Sequence, residues 1–418
     1  MRQKIKNLTS HPLFSGSATM FVGNMGANVI NYAYHIIMGR LLGPVGYGVL
    51  ASLYSILYLV SIIPASASVS IVKFISTANE KELPSVYYSI KKFIFKLSIA
   101  LSLFMLVISP FVAKFLRIED LTAVFLITPV LFLSLLTLVN QSSSQGLLKF
   151  LGSVIPTLIS SLLKLLFGVG LVLIGWSVSG AMLAIAIGLL FAYLNSQKFI
   201  SKYIKRSVRN NINLNSFFKY SGPVIIQSLA FTSIFTVDVL LAKHFLDPFS
   251  AGIYAALSTL GKIIFFATSP IATTMFPVVA KRKALDQGYM KIFLISFFVT
   301  AIIAVVITLF YWLFPNIAIG VLFGKAYLTA KFDLIWMGIF MLFYSLSNLL
   351  VNFYLSIGNT KIVYIPIVSA FVQVLIIWFY HNSITQILQV SLIVTLCMFI
   401  CLSVYTGYNL YNEQKDKN

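Results

Sequence analysis

Long apolar runs separated by short polar breaks organise the whole chain. Read by length, they predict helices over about residues 14–41, 45–72, 89–113, 121–148, 153–174, 177–198, 217–244, 250–280, 289–314, 331–356, 360–380 and 386–410, numbered here as spans 1 to 12. Each exceeds the roughly 20 residues a helix needs to cross hydrocarbon. Membrane β-strands would instead be about 10 residues long with period-two alternation, and the runs do not read that way.

Composition sharpens this picture. Of 418 residues, 59% are apolar and 10% charged, and the mean hydropathy is +0.95. A soluble domain carries roughly 25% charged residues, so this chain cannot cover a water-facing surface. The opening MRQKIK is positive and precedes an apolar run, but that run contains Gly23, Asn24, Gly26 and Asn28 and lacks a small-residue cleavage site. It reads as an uncleaved first span rather than a signal peptide. Cys397 and Cys401 share one helix face and are too few for a disulfide framework or a zinc cage.

The net charge of +20 does not point to nucleic acid, because the positive residues lie in short connections between apolar runs. There they set topology and meet anionic headgroups. Twelve spans put both termini on one side. The termini and even-numbered connections hold 22 Lys and Arg. The odd-numbered connections hold 6, namely Arg40, Lys114, Arg117, Lys243, Lys325 and Lys331. That bias predicts a multi-pass protein of the cell membrane with both termini in the cytoplasm.

The two halves of the chain resemble one another. LLGPVGYGVL (41–50) matches FLDPFSAGIY (245–254), placing Pro44 over Pro248 and Gly48 over Gly252 at a shift of 204 residues. QGLLKFLGSVIP (145–156) resembles IGNTKIVYIP (357–366) at a shift of about 210–212. These matches predict a six-plus-six duplication with both copies in the same orientation, related by an axis along the membrane normal. The expected fold class is an all-α integral membrane protein with twelve transmembrane helices in two pseudo-symmetric six-helix bundles around a central cavity. The expected boundaries are an N-terminal bundle over 1–200, a basic cytoplasmic linker over 201–216 and a C-terminal bundle over 217–418.

Charge inside a span is costly, about 2.5–3.5 kcal/mol per residue at mid-helix on insertion scales. Lys164 and Lys262 each lie near the middle of a span, one per half. They read either as a cationic cavity for an anionic substrate or as lysines that snorkel or pair structurally. Asp238, within span 7, is expected to face the protein interior and pair with a basic group such as Lys262 or Lys243, as a structural ion pair or as a gate or a proton or cation site. Asn24, Asn28, Asn31 and His35 are spaced 4, 3 and 4 apart and share one face of span 1. Span 10 carries Ser345, Asn348 and Asn352, and span 4 ends in NQSSSQ (140–145). Such stripes serve interhelical hydrogen bonding or line a hydrated path. Arg40 and Lys243 sit at the outer mouth, where Arg40 meets phosphate or anchors to headgroups. Pro64, Pro129, Pro156, Pro223, Pro270, Pro277 and Pro366 are read as interruptions of spans, tolerated where a helix lines a cavity or bends.

Enzyme signals are missing from the sequence: no HExxH, no P-loop, no GxGxxG and no GxSxG in a strand–turn–helix setting. No catalytic residue, metal or cofactor is expected.

Two junctions carry a family resemblance. GRLLGPVGYGVLASLYSILYLV (39–60) resembles the span 1–2 junction of polysaccharide flippases. Asp238 followed by LLAKHFLDPFSAGIYAAL (240–257) resembles their span 7–8 junction, and TLGKIIFFATSPIATTMFPVVAK (259–281) continues the likeness. These are the oligosaccharide flippases of the multidrug/oligosaccharidyl-lipid/polysaccharide exporter superfamily. The resemblance implies movement of a polyprenyl-pyrophosphate-linked oligosaccharide from the cytoplasmic to the outer leaflet by alternating access between two bundles. It makes Lys164 and Lys262 candidate cavity cations and Asp238 the junction acid. Expected partners are the lipid-linked oligosaccharide, membrane lipids, and glycosyltransferases and a polymerase of the same pathway, and not nucleic acid.

Two other classes compete. A drug/cation antiporter on the same scaffold should prefer acidic cavity residues, whereas the charges within spans here are two lysines and one aspartate. A membrane glycosyltransferase or O-antigen polymerase should carry a large outer loop and no half-repeat.

Overall fold

The computed structural model describes residues 12–204 and 228–415, with side chains for all of these except 12–18, 63–66, 69 and 409–415. Most of the predicted linker, the amino-terminal part of span 7 with Pro223, and the side chain of Pro64 fall outside the described residues. Every described element is helical, and no strand occurs among the described residues.

Ten helical segments among the described residues are long and apolar enough to cross a membrane. Two of them are double. Thr19–Ile62 has 44 residues and Leu151–Ile200 has 50, or about 66 and 75 Å at 1.5 Å per residue. Each is twice the hydrocarbon thickness. Each also breaks near its centre where the backbone leaves helical geometry, at Gly43 (φ 67°) and at Gly175 (φ 96°) followed by Ser177 (φ 45°). Glycine takes positive φ without penalty, which is why the chain turns there. Counting each double segment twice gives the twelve passes that the apolar runs predict, in an all-α membrane fold.

The ends agree with the hydropathy reading to within several residues. Span 3 is Leu83–Phe115, span 8 is Pro248–Ala284 and span 9 is Met290–Leu313. Four prolines read as interruptions do lie inside helices: Pro64, Pro156, Pro270 and Pro277. Two do not. Pro129 falls in the first turn of Ile127–Gly146 and Pro366 in the first turn of Tyr364–Phe379. There the missing N–H has no helical partner to lose, so neither proline interrupts a span.

The chain divides into two compact units, Met1–Leu42 with Ile56–Ile225, and Gly43–Ser55 with Ile226–Asn418. In the first, spans 5 and 6 form a tight antiparallel hairpin. A Cβ at Gly168 would touch Ala184, one at Gly180 would touch Leu171, and one at Gly188 would touch the Ser160 carbonyl. Small residues let the two backbones approach closely. The NQSSSQ end of span 4 is interhelical glue. Asn140 is fully buried, accepts from the Tyr87 hydroxyl at 2.8 Å and donates to Ser196 at 3.1 Å. Gln141 and Gln145 donate to Thr157 and Ser153 on span 5.

In the second unit, Tyr311 of span 9 donates to the Leu260 carbonyl of span 8 at 2.7 Å. Thr308 donates to the Gly338 carbonyl of span 10 at 3.3 Å. Residues 43–55, the start of span 2, pack here as well. The Tyr47 hydroxyl lies 2.8 Å from that of Thr259, and its ring lies 5.3 Å from that of Phe323.

Candidate functional site

Each unit holds one of the two mid-span lysines among partners, Lys164 buried and Lys262 half-buried. In the first unit Lys164 is 7% exposed. Its Nζ donates to Asn31 Oδ1 at 2.5 Å and lies 4.6 Å from the centroid of the Tyr34 ring. Tyr34 is itself fully buried, because its hydroxyl donates to the Ala181 carbonyl at 2.9 Å. Spans 1, 5 and 6 therefore meet at this ammonium. Inserting a lysine at mid-helix costs about 2.5–3.5 kcal/mol. A hydrogen bond from a charged group contributes about 1.5–3 kcal/mol, and a cation–π contact about 0.5–2 kcal/mol. Those two contacts offset the cost, so Lys164 has no need to snorkel to a helix end.

The polar stripe of span 1 is not uniform. Asn31 and His35 are half-buried, and the His35 ring meets Tyr34 edge-on at 5.8 Å. Asn24 and Asn28 are exposed on the same helix, and Arg40 is exposed at its end. Of the three asparagines of the stripe, Asn31 is the one hydrogen-bonded to the lysine among the described residues.

In the second unit the helix of span 7 is interrupted at Phe235–Thr236 and resumes as Val237–Phe245. Asp238 lies in the first turn of the resumed helix, where free N–H groups and the helix dipole favour a carboxylate. It is fully buried. Its Oδ1 accepts from the Val239 N–H at 2.8 Å, and its Oδ2 accepts from the Tyr254 hydroxyl at 2.7 Å. Lys262, one of its two proposed partners, is near enough for its charge to act on this carboxylate. The Lys262 Nζ lies 5.3 Å from the Phe235 ring centroid. Phe235 belongs to an aromatic cluster with Phe265 and Tyr344, whose centroids are 5.3–5.8 Å apart. Lys243, the other proposed partner, is buried further along the same helix.

The network continues beyond the acid. The Ser391 hydroxyl lies near that of Tyr254, and Ser391 Oγ accepts from Gln373 Nε2 at 2.9 Å. Asp238, Tyr254, Ser391 and Gln373 are all buried, and together they tie spans 7, 8, 11 and 12. Sequence reasoning missed Tyr34, Tyr254, Ser391 and Gln373. The signal for the tyrosines was present, since Tyr34 lies one helical turn from Asn31 and Tyr254 ends the repeated junction. Hydropathy carried no signal for Ser391 or Gln373.

The span 10 stripe stands apart from this network. Asn352 donates to the carbonyl of Asn348 at 2.8 Å and to its side chain at 3.1 Å, so the two amides satisfy each other along one helix. Ser345 is buried with an unpartnered hydroxyl. Among the described residues, no group of three or more His, Cys, Asp or Glu side chains is placed to hold a metal ion.

A family model described as polysaccharide biosynthesis protein matches residues 13–283. An uncharacterised membrane protein of Methanocaldococcus jannaschii is 25% identical over 202 residues, which take in 45% of this chain and 39% of that relative's own length. Among solved structures, the lipid II flippase MurJ in an inward closed conformation superposes with a TM-score of 0.76 at 13% identity, covering 93% of this chain and 87% of its own. An inward-facing multidrug resistance MATE family transporter of the MOP superfamily gives 0.75 at 13% identity, covering 91% and 95%. A MOP superfamily transporter from Pyrococcus furiosus, described as having a binding pocket of reverse polarity, gives 0.63 at 14% identity, covering 96% and 97%.

Proposed function

This chain belongs to the polysaccharide biosynthesis protein family and has the fold of MOP superfamily flippases and transporters; from that premise we propose that it flips a polyprenyl-(pyro)phosphate-linked oligosaccharide from the cytoplasmic to the outer leaflet of the cell membrane. It does so by alternating access, in the service of cell-surface polysaccharide synthesis, and performs no chemistry of its own. Both termini lie in the cytoplasm, consistent with the bias of Lys and Arg along the sequence.

The observation that carries this reading is that each unit holds one mid-span lysine among protein partners. Lys164 is held by Asn31 and Tyr34, and Lys262 lies by Phe235 within reach of the Asp238 charge. Cations held inside spans mark paths for polar substrates. A phosphate-linked head needs positive charge along its path, whereas a cationic drug would be repelled there. In this scheme Asp238 positions Lys262. Asn31 and His35 line the path beside Lys164, with Asn24, Asn28, Asn348 and Asn352 offering further polar contacts. Arg40 and Lys243 act towards the outer ends of spans 1 and 7.

The test is reconstitution of the full chain in vesicles with a fluorescent polyprenyl-pyrophosphate-linked oligosaccharide, following loss of probe from one leaflet. The wild type moves the probe. Lys164→Ala and Lys262→Ala slow it while inserting normally. Equal rates in all three proteins would remove the lysines from the mechanism. Elongation of the sugar without flipping would make the protein a polymerase instead, and uptake of a cationic dye without flipping would make it a drug antiporter.

A further inference from the structure

Away from both lysine clusters, the second unit contains a cavity of about 640 Å³. Three connections line it: the turn from Phe245 to Ile253 between spans 7 and 8, the end of the 3₁₀ stretch Lys325–Asp333 before span 10, and residues 381–385 between spans 11 and 12. Its size lies within the roughly 300–1,000 Å³ of small-molecule sites.

The charge of the lining runs against that of the chain. The protein has 30 Lys and Arg against 10 Asp and Glu, yet the acids Asp247 and Asp333 line this cavity with His381 and without one lysine or arginine. Asp247 is exposed and caps the helix of span 8. The hydroxyl and N–H of Ser250, with the Phe249 N–H, hold its carboxyl below the usual carboxylate range, so it is charged at neutral pH. Asp333 is half-buried and accepts from the Thr385 hydroxyl at 2.6 Å. Asn382 and Ser383 are exposed beside them.

One wall is aromatic and braced. The Phe245 and His381 rings stack with centroids 3.7 Å apart at 15°, and Trp378 packs edge-on to Phe245 at 5.2 Å. The His381 Nδ1 lies 3.1 Å from the Ile377 carbonyl, which fixes the ring. A flat ring stack takes the C–H face of a pyranose by dispersion. Carboxylates, an amide and hydroxyls take its vicinal hydroxyls, and an ammonium is favoured further by the two acids. An anion finds no lysine or arginine in this lining and meets like charge.

We propose that this cavity is a binding site for a neutral or amino sugar unit and that it rejects uronic acids. The proposal does not depend on flipping, because binding is read on the purified protein and neither Lys164 nor Lys262 lines the site.

The experiment titrates the detergent-purified full chain with three disaccharides, the glucosamine dimer, diacetylchitobiose and digalacturonate, by calorimetry. Trp378 fluorescence is followed in a variant that lacks Trp176, Trp312 and Trp336. The glucosamine dimer and diacetylchitobiose are expected to bind, and digalacturonate at least about tenfold more weakly. Asp333→Asn and Asp247→Asn, which keep shape and acceptor, should weaken the glucosamine dimer about tenfold each. Phe245→Ala should weaken both binders. Should Phe245→Ala fail to fold, the two Asp→Asn variants decide. Absence of heat with both sugars at millimolar concentration, preference for digalacturonate, or affinities unchanged in both Asp→Asn variants would overturn the proposal. Binding is read on the purified protein without any transport step, so a failure of transport alone is told apart from a failure of this site.

Discussion

Gly48 and Gly252 pack backbone against backbone. A Cβ on Gly48 would lie 2.9 Å from the Gly252 Cα, and a Cβ on Gly252 would lie 1.8 Å from the Pro44 carbonyl oxygen. These are the equivalent glycines of the two repeated junctions, so the copies of one motif meet each other face to face. Neither the Pro44 carbonyl nor the Gly252 backbone can rotate aside as a side-chain tip would. Overpacking costs about 1–3 kcal/mol, and a clash with backbone belongs at or beyond the top of that range. Gly252→Ala is therefore expected to lower the thermal midpoint in detergent more than Gly48→Ala. Gly288→Ala, where a Cβ meets nothing within 4 Å, should leave it almost unchanged. A Gly252→Ala protein as stable as wild type would mean that the crossing is looser than described.

A second prediction concerns Lys164. If the Asn31 contact holds the ammonium, Asn31→Ala should destabilise by about 1–3 kcal/mol, because the buried amine loses that hydrogen bond. Lys164→Met removes the charge and the need for a partner together, and should cost less or nothing. In the double variant the Asn31→Ala penalty should shrink, and a double-mutant cycle on chemical unfolding in mild detergent measures this. Additive penalties would show that the two side chains are not energetically coupled.

Much of this was legible in the sequence, and for a physical reason. Twelve passes, the mid-span lysines and the paired junctions are all one-dimensional signals of length, charge against an apolar background, and repeat. The partners of those charges are not. Tyr34 and Tyr254 are apolar enough to vanish in a hydropathy profile, and their roles depend on hydroxyls aimed at Ala181 and Asp238 from another helix. Pro129 and Pro366 were misread because a proline in a first turn and one that breaks a helix look alike until the helix start is known. The span 1 stripe had the right periodicity, but only its third asparagine reaches the lysine, because depth along the span is not encoded in spacing.

Asp238 carries a third prediction. Tyr254→Phe removes one hydroxyl from a fully buried carboxylate and should cost about 1–3 kcal/mol. Asp238→Asn keeps the shape and removes the counter-charge of Lys262, so it should destabilise wild type. It should do so less in a Lys262→Met background, where there is no ammonium to balance. Thermal midpoints of the four proteins are the measurement, and an Asp238→Asn penalty of the same size in both backgrounds would mean that the charges do not support each other.

The last prediction is a pH dependence at the span 7–8 turn. Asp247 accepts the Phe249 and Ser250 N–H groups at 3.0 and 3.1 Å, and these bonds with the Ser250 hydroxyl hold its carboxyl below the usual range. A carboxyl depressed on folding contributes stability above its unfolded pKa, about 3.9, and loses it as pH falls through the lower folded value. Stability from this cap should therefore be flat from about pH 5 upward and decline only below about pH 4. The effect is small, since Asp247 is exposed and water screens it. Asp247→Asn retains a capping acceptor and should abolish that acid-side decline at little cost at neutral pH. Asp247→Ala removes the acceptor and should cost about 0.5–2 kcal/mol at every pH above 4. Unfolding midpoints across pH 3 to 7 would distinguish the variants, and an Asp247→Ala protein as stable as Asp247→Asn would show that this cap does not hold the start of span 8.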